Sequence, residues 1–156
     1  MVIAIEPATV DDVDRLVEME AKLFDEDAAQ HDTFVDLSWP QREGRADFMR
    51  LLDSPTSVVL VARDGHDVVG HLVGYISDPT PTRQRVTFAV LRSIYVEADH
   101  RHRGVGRALT ERFVSWSRAK GCVEAHVASY RANEGAQQFY ERGGFGVRSV
   151  ARVLPL

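Results

Sequence analysis

Cysteine is nearly absent from these 156 residues: Cys122 stands alone, which excludes an internal disulfide and a multi-cysteine zinc site. That usage fits a reducing compartment. No apolar run approaches bilayer length, and the N-terminus enters an acidic stretch between Glu6 and Asp14 without a basic region and apolar core ahead of it, so we expect a cytoplasmic protein. Strong net charge is missing too. A formal charge of -4 and a pI near 5.8 leave no overall field to draw nucleic acid or an anionic membrane surface, so any affinity for phosphate must be local. Repeats and low-complexity tracts are absent.

What remains is ordinary globular composition, 44% hydrophobic and 27% charged, in a length that suits one domain spanning 1–156. Residues 2–6 form a short strand ended by Pro7. Thr9 and Asp12 make a capping-box-like start, after which Val13, Leu16, Val17 and Phe24 share a helical face. The acidic stretch 25–40 has no clean period and reads as a loop or mobile helical turn, with Asp25, Glu26 and Asp27 mostly a solvated run that also attracts cationic amines. A second helix is expected over 41–52. Val-rich segments 57–63 and 68–76 bracket Asp64-Gly65-His66-Asp67 as a hairpin. Then come a strand over 85–96, an amphipathic helix over 104–119 capped by Gly121, a strand over 122–128, a helix over 133–142 and a last strand over 145–154. The order βααβββαβαβ, with hairpins early and a crossover late, predicts an α/β (α+β) mixed sheet flanked by helices.

The strongest chemical signal is Arg101-His102-Arg103-Gly104-Val105-Gly106-Arg107, placed between a strand and a helix. Glycines there admit a ligand close to the backbone, the first helical N–H groups point outward as donors, and helix dipole and basic side chains add attraction for an anion. The same residues also suit a tight turn with solvated arginines. Arg107-Ala108 in place of Lys-Ser/Thr disfavours a P-loop, and a missing third glycine disfavours a dinucleotide turn.

With Arg101, Gly104 and Gly106, the chain resembles the GNAT-type N-acyltransferase superfamily, whose hallmark is Arg or Gln, two residues, Gly, one residue, Gly or Ala after the fourth strand. Residues 133–145, running from Asn133 through Phe139-Tyr140 to Gly144-Phe145, resemble the family's second signature. The resemblance covers about 57–145 and implies an acetyl-CoA-dependent transfer of acetyl to the amine of a small molecule, amino acid or peptide, without a metal. It implies that the backbone of Ile94, Tyr95 and Val96 bonds the pantetheine arm, that the N–H groups from His102 to Arg107 hold the pyrophosphate, that Asn133 bonds the pantetheine region, and that Tyr140 lies near the sulfur as general acid. Homodimers are common among similar proteins, though no interface is marked here. A non-catalytic acyl-CoA sensor would keep Gly104 and Gly106 and have no use for the Tyr140 hydroxyl.

The proton acceptor is not written in one place. Between Val86 and Val96 there is no acidic residue, so the glutamate that many relatives carry on that strand is missing. His71, His126, Glu20 or a water remain as bases, and each histidine also suits a structural role on a half-buried strand. His100 and His102 alternate around Arg101 without a third ligand, which reads as solvated loop rather than metal site, and Cys122 reads as packing rather than an acyl carrier.

Overall fold

The computed structural model describes residues 2–156. Its sheet has five strands in chain order: β1 (Ile3–Pro7), β2 (Ser57–Asp64), β3 (Asp67–Ser77), β4 (Phe88–Val96) and β5 (Glu124–Val127). The first four pair antiparallel, and β4 pairs with β5 in parallel across the helix between them. Period-two patterning places the layers. Val59 and Val61 of β2 turn toward helices α1 (Val13–Leu23) and α3 (Trp39–Asp53), joining Leu16, Met19 and Phe48. Leu60 and Ala62 turn the other way, toward Leu109 and Phe113 of α4 (Val105–Ala119).

Two segments bear on the sequence reading, the first taking the helical-turn alternative and the second departing from it. The acidic stretch after α1 continues as a π-helical turn (Phe24–Ala28) and a short helical turn, α2 (Ala29–His31), so it leaves α1 in a set direction. No strand forms over 145–154. Val147, Val150 and Val153 recur every third residue and stay exposed, and Arg148 meets β5 by its side chain on Glu124. Valine content favours a strand only where a neighbouring ladder accepts it, and none does here among the described residues. After β5 the chain makes α5 (Glu134–Arg142), opened by Asn133, whose Oδ1 accepts the Ala136 N–H at 3.0 Å. No helix of the described residues is long and apolar enough to cross a membrane.

The feature that shapes the site lies in β4. Its register against β3 shifts so that Val73 opposes Ser93 and Gly74 opposes Leu91, leaving Arg92 as an extra bulged residue. Pairing with β5 runs only from Phe88 opposite Glu124 to Leu91 opposite Val127, and ends where the bulge begins. Gly74 allows this close packing: a Cβ there would stand 2.5 Å from Phe113 Cε2 and 3.2 Å from the Val90 carbonyl oxygen. Gly74→Ala should therefore cost about 1–3 kcal/mol, seen as a lower midpoint in chemical denaturation.

Candidate active site

Beyond Leu91, β4 stays bonded to β3 on one side and loses β5 on the other. Glu97 N–H donates to the Val69 carbonyl of β3 at 2.8 Å, so by strand alternation Tyr95 also faces β3, while Ile94 and Val96 turn their amide edges to the opened gap. Of the three residues expected to offer backbone to a pantetheine arm, two face the gap. Val96 already uses its carbonyl oxygen there, accepting from Arg101 Nε at 2.8 Å.

The glycine-rich turn closes the same end of the gap. A single 3-10 turn (Ala98–His100) follows β4, then His102 and Gly104 both take positive φ, +61° and +81°. Gly104 is the residue before α4, and the helical ladder starts with Ala108 N–H on the Gly104 carbonyl, which leaves the amides of Val105, Gly106 and Arg107 directed out of the helix end. The two glycines serve different needs. Nothing would obstruct a Cβ on Gly104, but its φ excludes most side chains; a Cβ on Gly106 would lie 3.2 Å from Phe139 Cε2, so this glycine lets α4 approach α5.

Arg101 does not stand free beside the turn. Its guanidinium bonds Val96, pairs with Glu26 Oε2 at 2.7 Å and lies over the Tyr95 ring at 5.3 Å, which makes it a brace between the turn, β4 and the stretch after α1. Arg107 is 81% exposed and pairs with Glu111 at 2.8 Å. His102 and Arg103 are exposed on the turn. His100 is held between Asp99 and Asp64, at 2.9 and 3.2 Å, and these carboxylates push its pKa up.

From the opposite wall, α5 supplies Tyr140. Its ring packs against Phe139 and Phe145, with centroids 5.3 and 5.7 Å away, on the core formed with α4. Burial, and then the negative charge of Asp27, push the phenol up to about 12, so it keeps its proton across the neutral range. Asn133 uses both ends of its amide: Oδ1 caps α5, and Nδ2 donates to Asp27 Oδ1 at 2.9 Å. A pantetheine bond from Nδ2 would compete with Asp27.

Glu26 and Asp27 are thus more than part of a solvated run. Glu26 and Asp27 reach 75 and 106 residues along the chain to one member of each motif. Nothing in local spacing announces either contact.

The candidate bases fall into different surroundings. His71 is fully buried, with Nε2 3.1 Å from Glu20 Oε2 and its ring set between Phe48 and Tyr95. Burial alone would raise the Glu20 pKa, but the His71 hydrogen bond and charge, then Arg92, outweigh it and hold the carboxylate below its ordinary value. Arg92, from the bulge, also lies 2.8 Å from Asp47 Oδ2, in charge contact though off the line of a hydrogen bond. The pair fastens α1 to β3 and has no exposed edge for an amine. His126 stacks on Phe88 at 4.1 Å and lies 3.4 Å from Glu124, beside the paired half of β4 and β5. Glu124 is held far below the usual carboxylate range by Arg148, Arg83 and His126.

His71→Leu should strand the Glu20 charge and destabilise the fold by about 3–5 kcal/mol, with much of the loss recovered in the Glu20→Leu, His71→Leu double variant. Denaturant titration of the three proteins checks this. The Glu20 contribution has a definite sign: with its folded pKa depressed, it is present above the unfolded value near 4.5 and lost as pH falls through the folded value.

Comparison with known proteins agrees with this geometry. Residues 18–145 match the model of the acetyltransferase (GNAT) family. No curated protein matches by sequence. Among solved structures, aminoglycoside N-acetyltransferase AAC(6')-Iy in complex with CoA superposes with a TM-score of 0.82 at 17% identity, over 99% of this chain and 95% of that one. A variant of the BH1408 protein from Bacillus halodurans gives 0.80 at 20% identity, over 98% and 99%. Ribosomal-protein-alanine N-acetyltransferase from Brucella melitensis biovar Abortus 2308 gives 0.71 at 19% identity, over all of both chains. At these identities the likeness is one of fold.

Proposed function

The chain belongs to the GNAT acetyltransferase family and is an acetyl-CoA-dependent N-acetyltransferase; from that premise we propose how its own residues divide the work. The observation that carries the proposal is the parting of β4 from β5 after Leu91, between the glycine turn on one side and Tyr140 on the other. The gap accepts the pantetheine arm, with amide edges of Ile94 and Val96 in place of the missing strand. The amides from His102 to Arg107 take the pyrophosphate, helped by the positive end of α4. Arg101 acts by bracing this turn. Acetyl-CoA is the one cosubstrate, no metal is needed, and residues 1–156 work as one domain with the acyl-CoA core at 57–145.

The acceptor is the amine of a small molecule, an amino acid or a peptide, and it must lose a proton before it can attack, since an alkylamine titrates near ~10.4. Its lone pair then adds to the thioester carbonyl carbon. The Val96 N–H, on the gap side of β4, stabilises the developing oxyanion, and the C–S bond breaks with its electrons leaving on sulfur. Tyr140 gives its phenolic proton to that sulfur and regains one from solvent. Of the two protons that an ammonium sheds on its way to an amide, one is balanced on the thiol and one leaves to solvent. We place this chemistry in the cytoplasm, in keeping with the reducing conditions its single cysteine suits. A homodimer, common among similar proteins, is the assembly we expect.

Tyr140→Phe keeps the packing and removes the acid. Acetyl-CoA affinity measured by calorimetry should be unchanged, while the turnover number, followed by thiol detection of released CoA over a panel of amines, should fall about 100-fold. Thiol release from no amine, despite tight acetyl-CoA binding, would make the protein a sensor. The pH profile gives a second check. An acid raised to about 12 stays protonated through the alkaline range, so turnover in the unaltered enzyme should show no basic limb up to roughly pH 10. A basic limb near 9 would remove Tyr140 from the role.

A further inference from the structure

One carboxylate in contact with the second motif, Asp27, is not used by the transfer scheme above. Asp27 sits on the π-helical turn after α1, four residues past the end of that helix, and its carboxylate accepts from Asn133 Nδ2 at the start of α5. His31, one turn on, brings Nε2 to 3.8 Å from the same Oδ1 and packs its ring against Tyr130 at 5.2 Å. Side chains from three elements therefore converge: Asp27 and His31 from the extension of α1, Tyr130 and Asn133 from the loop after β5, and Tyr140 from α5, whose phenol feels the Asp27 charge. The partners found for Asp27 are an uncharged amide and an imidazole, whereas its neighbour Glu26 is neutralised by Arg101. Both side chains keep some access to solvent, 30% for Asp27 and 20% for His31, which His71 and Glu20 lack.

We propose that Asp27, with His31 behind it, receives the acceptor as an ammonium ion and takes its proton, so that the substrate class of this enzyme is basic alkylamines. The assignment rests on the acyl-transfer reading of the gap. Asp27 attracts the cation, the proton passes to the Asp27–His31 pair and on to solvent, and the freed lone pair attacks the thioester while Tyr140 protonates the leaving sulfur. Acid and base then stand on the same wall of the cleft, with separate protons to handle. The titratable groups around Asp27 are His31 on the next turn, Tyr130 on the loop after β5 and Tyr140 on α5; burial and the Asp27 charge push both phenols up, with Asp32 adding to Tyr130, while neighbouring Glu26 is paired with Arg101.

The experiment is steady-state thiol release from acetyl-CoA with two sets of acceptors: primary alkylamines (diamines and amino-acid amides), which arrive as cations, and anilines, which arrive neutral. Asp27→Asn retains an oxygen for Asn133 and removes the charge. We expect kcat/KM to fall about 100-fold for the alkylamines, little change for the anilines, unchanged acetyl-CoA affinity by calorimetry, loss of the acidic limb of the alkylamine pH profile, and partial recovery in Asp27→Glu. Equal losses for both sets, or lost acetyl-CoA affinity, would make Asp27 a structural clasp and overturn the proposal while leaving acyl transfer intact. An undiminished alkylamine rate would also overturn it. Absence of thiol release by the unaltered protein with every amine would instead remove the acyl-transfer reading, and this one with it.

Discussion

Everything in this molecule depends on β4 being asked to do two things along its length. It must remain a full partner of β3, because Leu72, Val73 and Leu91 fill both cores there, and it must abandon β5 after four residues. A flat ladder cannot satisfy both demands. The bulge at Arg92 can, since an extra residue bends and twists the strand where the parallel pairing stops. An open edge in a sheet centre is ordinarily costly, because each exposed amide lacks its partner. In the proposed mode of binding, that edge is a template for a ligand that carries amides of its own.

The same logic explains why the ends of the gap are braced. Arg101 bonds the last residue of β4, stacks on Tyr95 and meets Glu26; Asn133 caps α5 and holds Asp27. Strands that have parted need their separation fixed by something else, and these two side chains tie both walls to the extension of α1. A segment that would otherwise be a loop of high charge thereby becomes part of the cleft.

Sequence patterning revealed the parts of the fold that repeat. The alternation of Val59, Leu60, Val61 and Ala62, the helical faces of Leu16 and Met19 or Leu109 and Phe113, and the glycine turn at Gly104 all follow from local rules applied over enough residues to be distinctive. The two motifs flanking the gap were legible as well, although Arg101 turned out to hold the turn instead of projecting from it. Contacts between distant residues were not legible. Nothing in the Glu20 or His71 surroundings marks them as partners, since Glu20 stands between Glu18 and Lys22 like any charged helix residue and His71 lies in an apolar strand, and only the packing of α1 on β3 brings them together. The Val-rich tail failed for the converse reason: its local pattern is that of a strand, but no ladder is there to receive it.

The missing carboxylate on β4 also follows from this architecture. On the strand that carries an acid in many relatives, this chain has Arg92 in the bulge, engaged with Asp47 and close enough to Glu20 to lower its pKa. A glutamate beside that cluster would face two buried carboxylates and pull their cation away. The proton acceptor must then come from another element. Buried His71 is spent on Glu20, and His126 stacks on Phe88 beside Glu124, one residue before the last pair of β4 and β5. The extension of α1 brings an accessible carboxylate and an accessible imidazole within one turn of each other, and the charge of that carboxylate is felt by Tyr140. With the proposed base off the sheet, β4 is left to be shaped by its bulge, and the proposed acceptor chemistry rests on a helical extension outside the sheet.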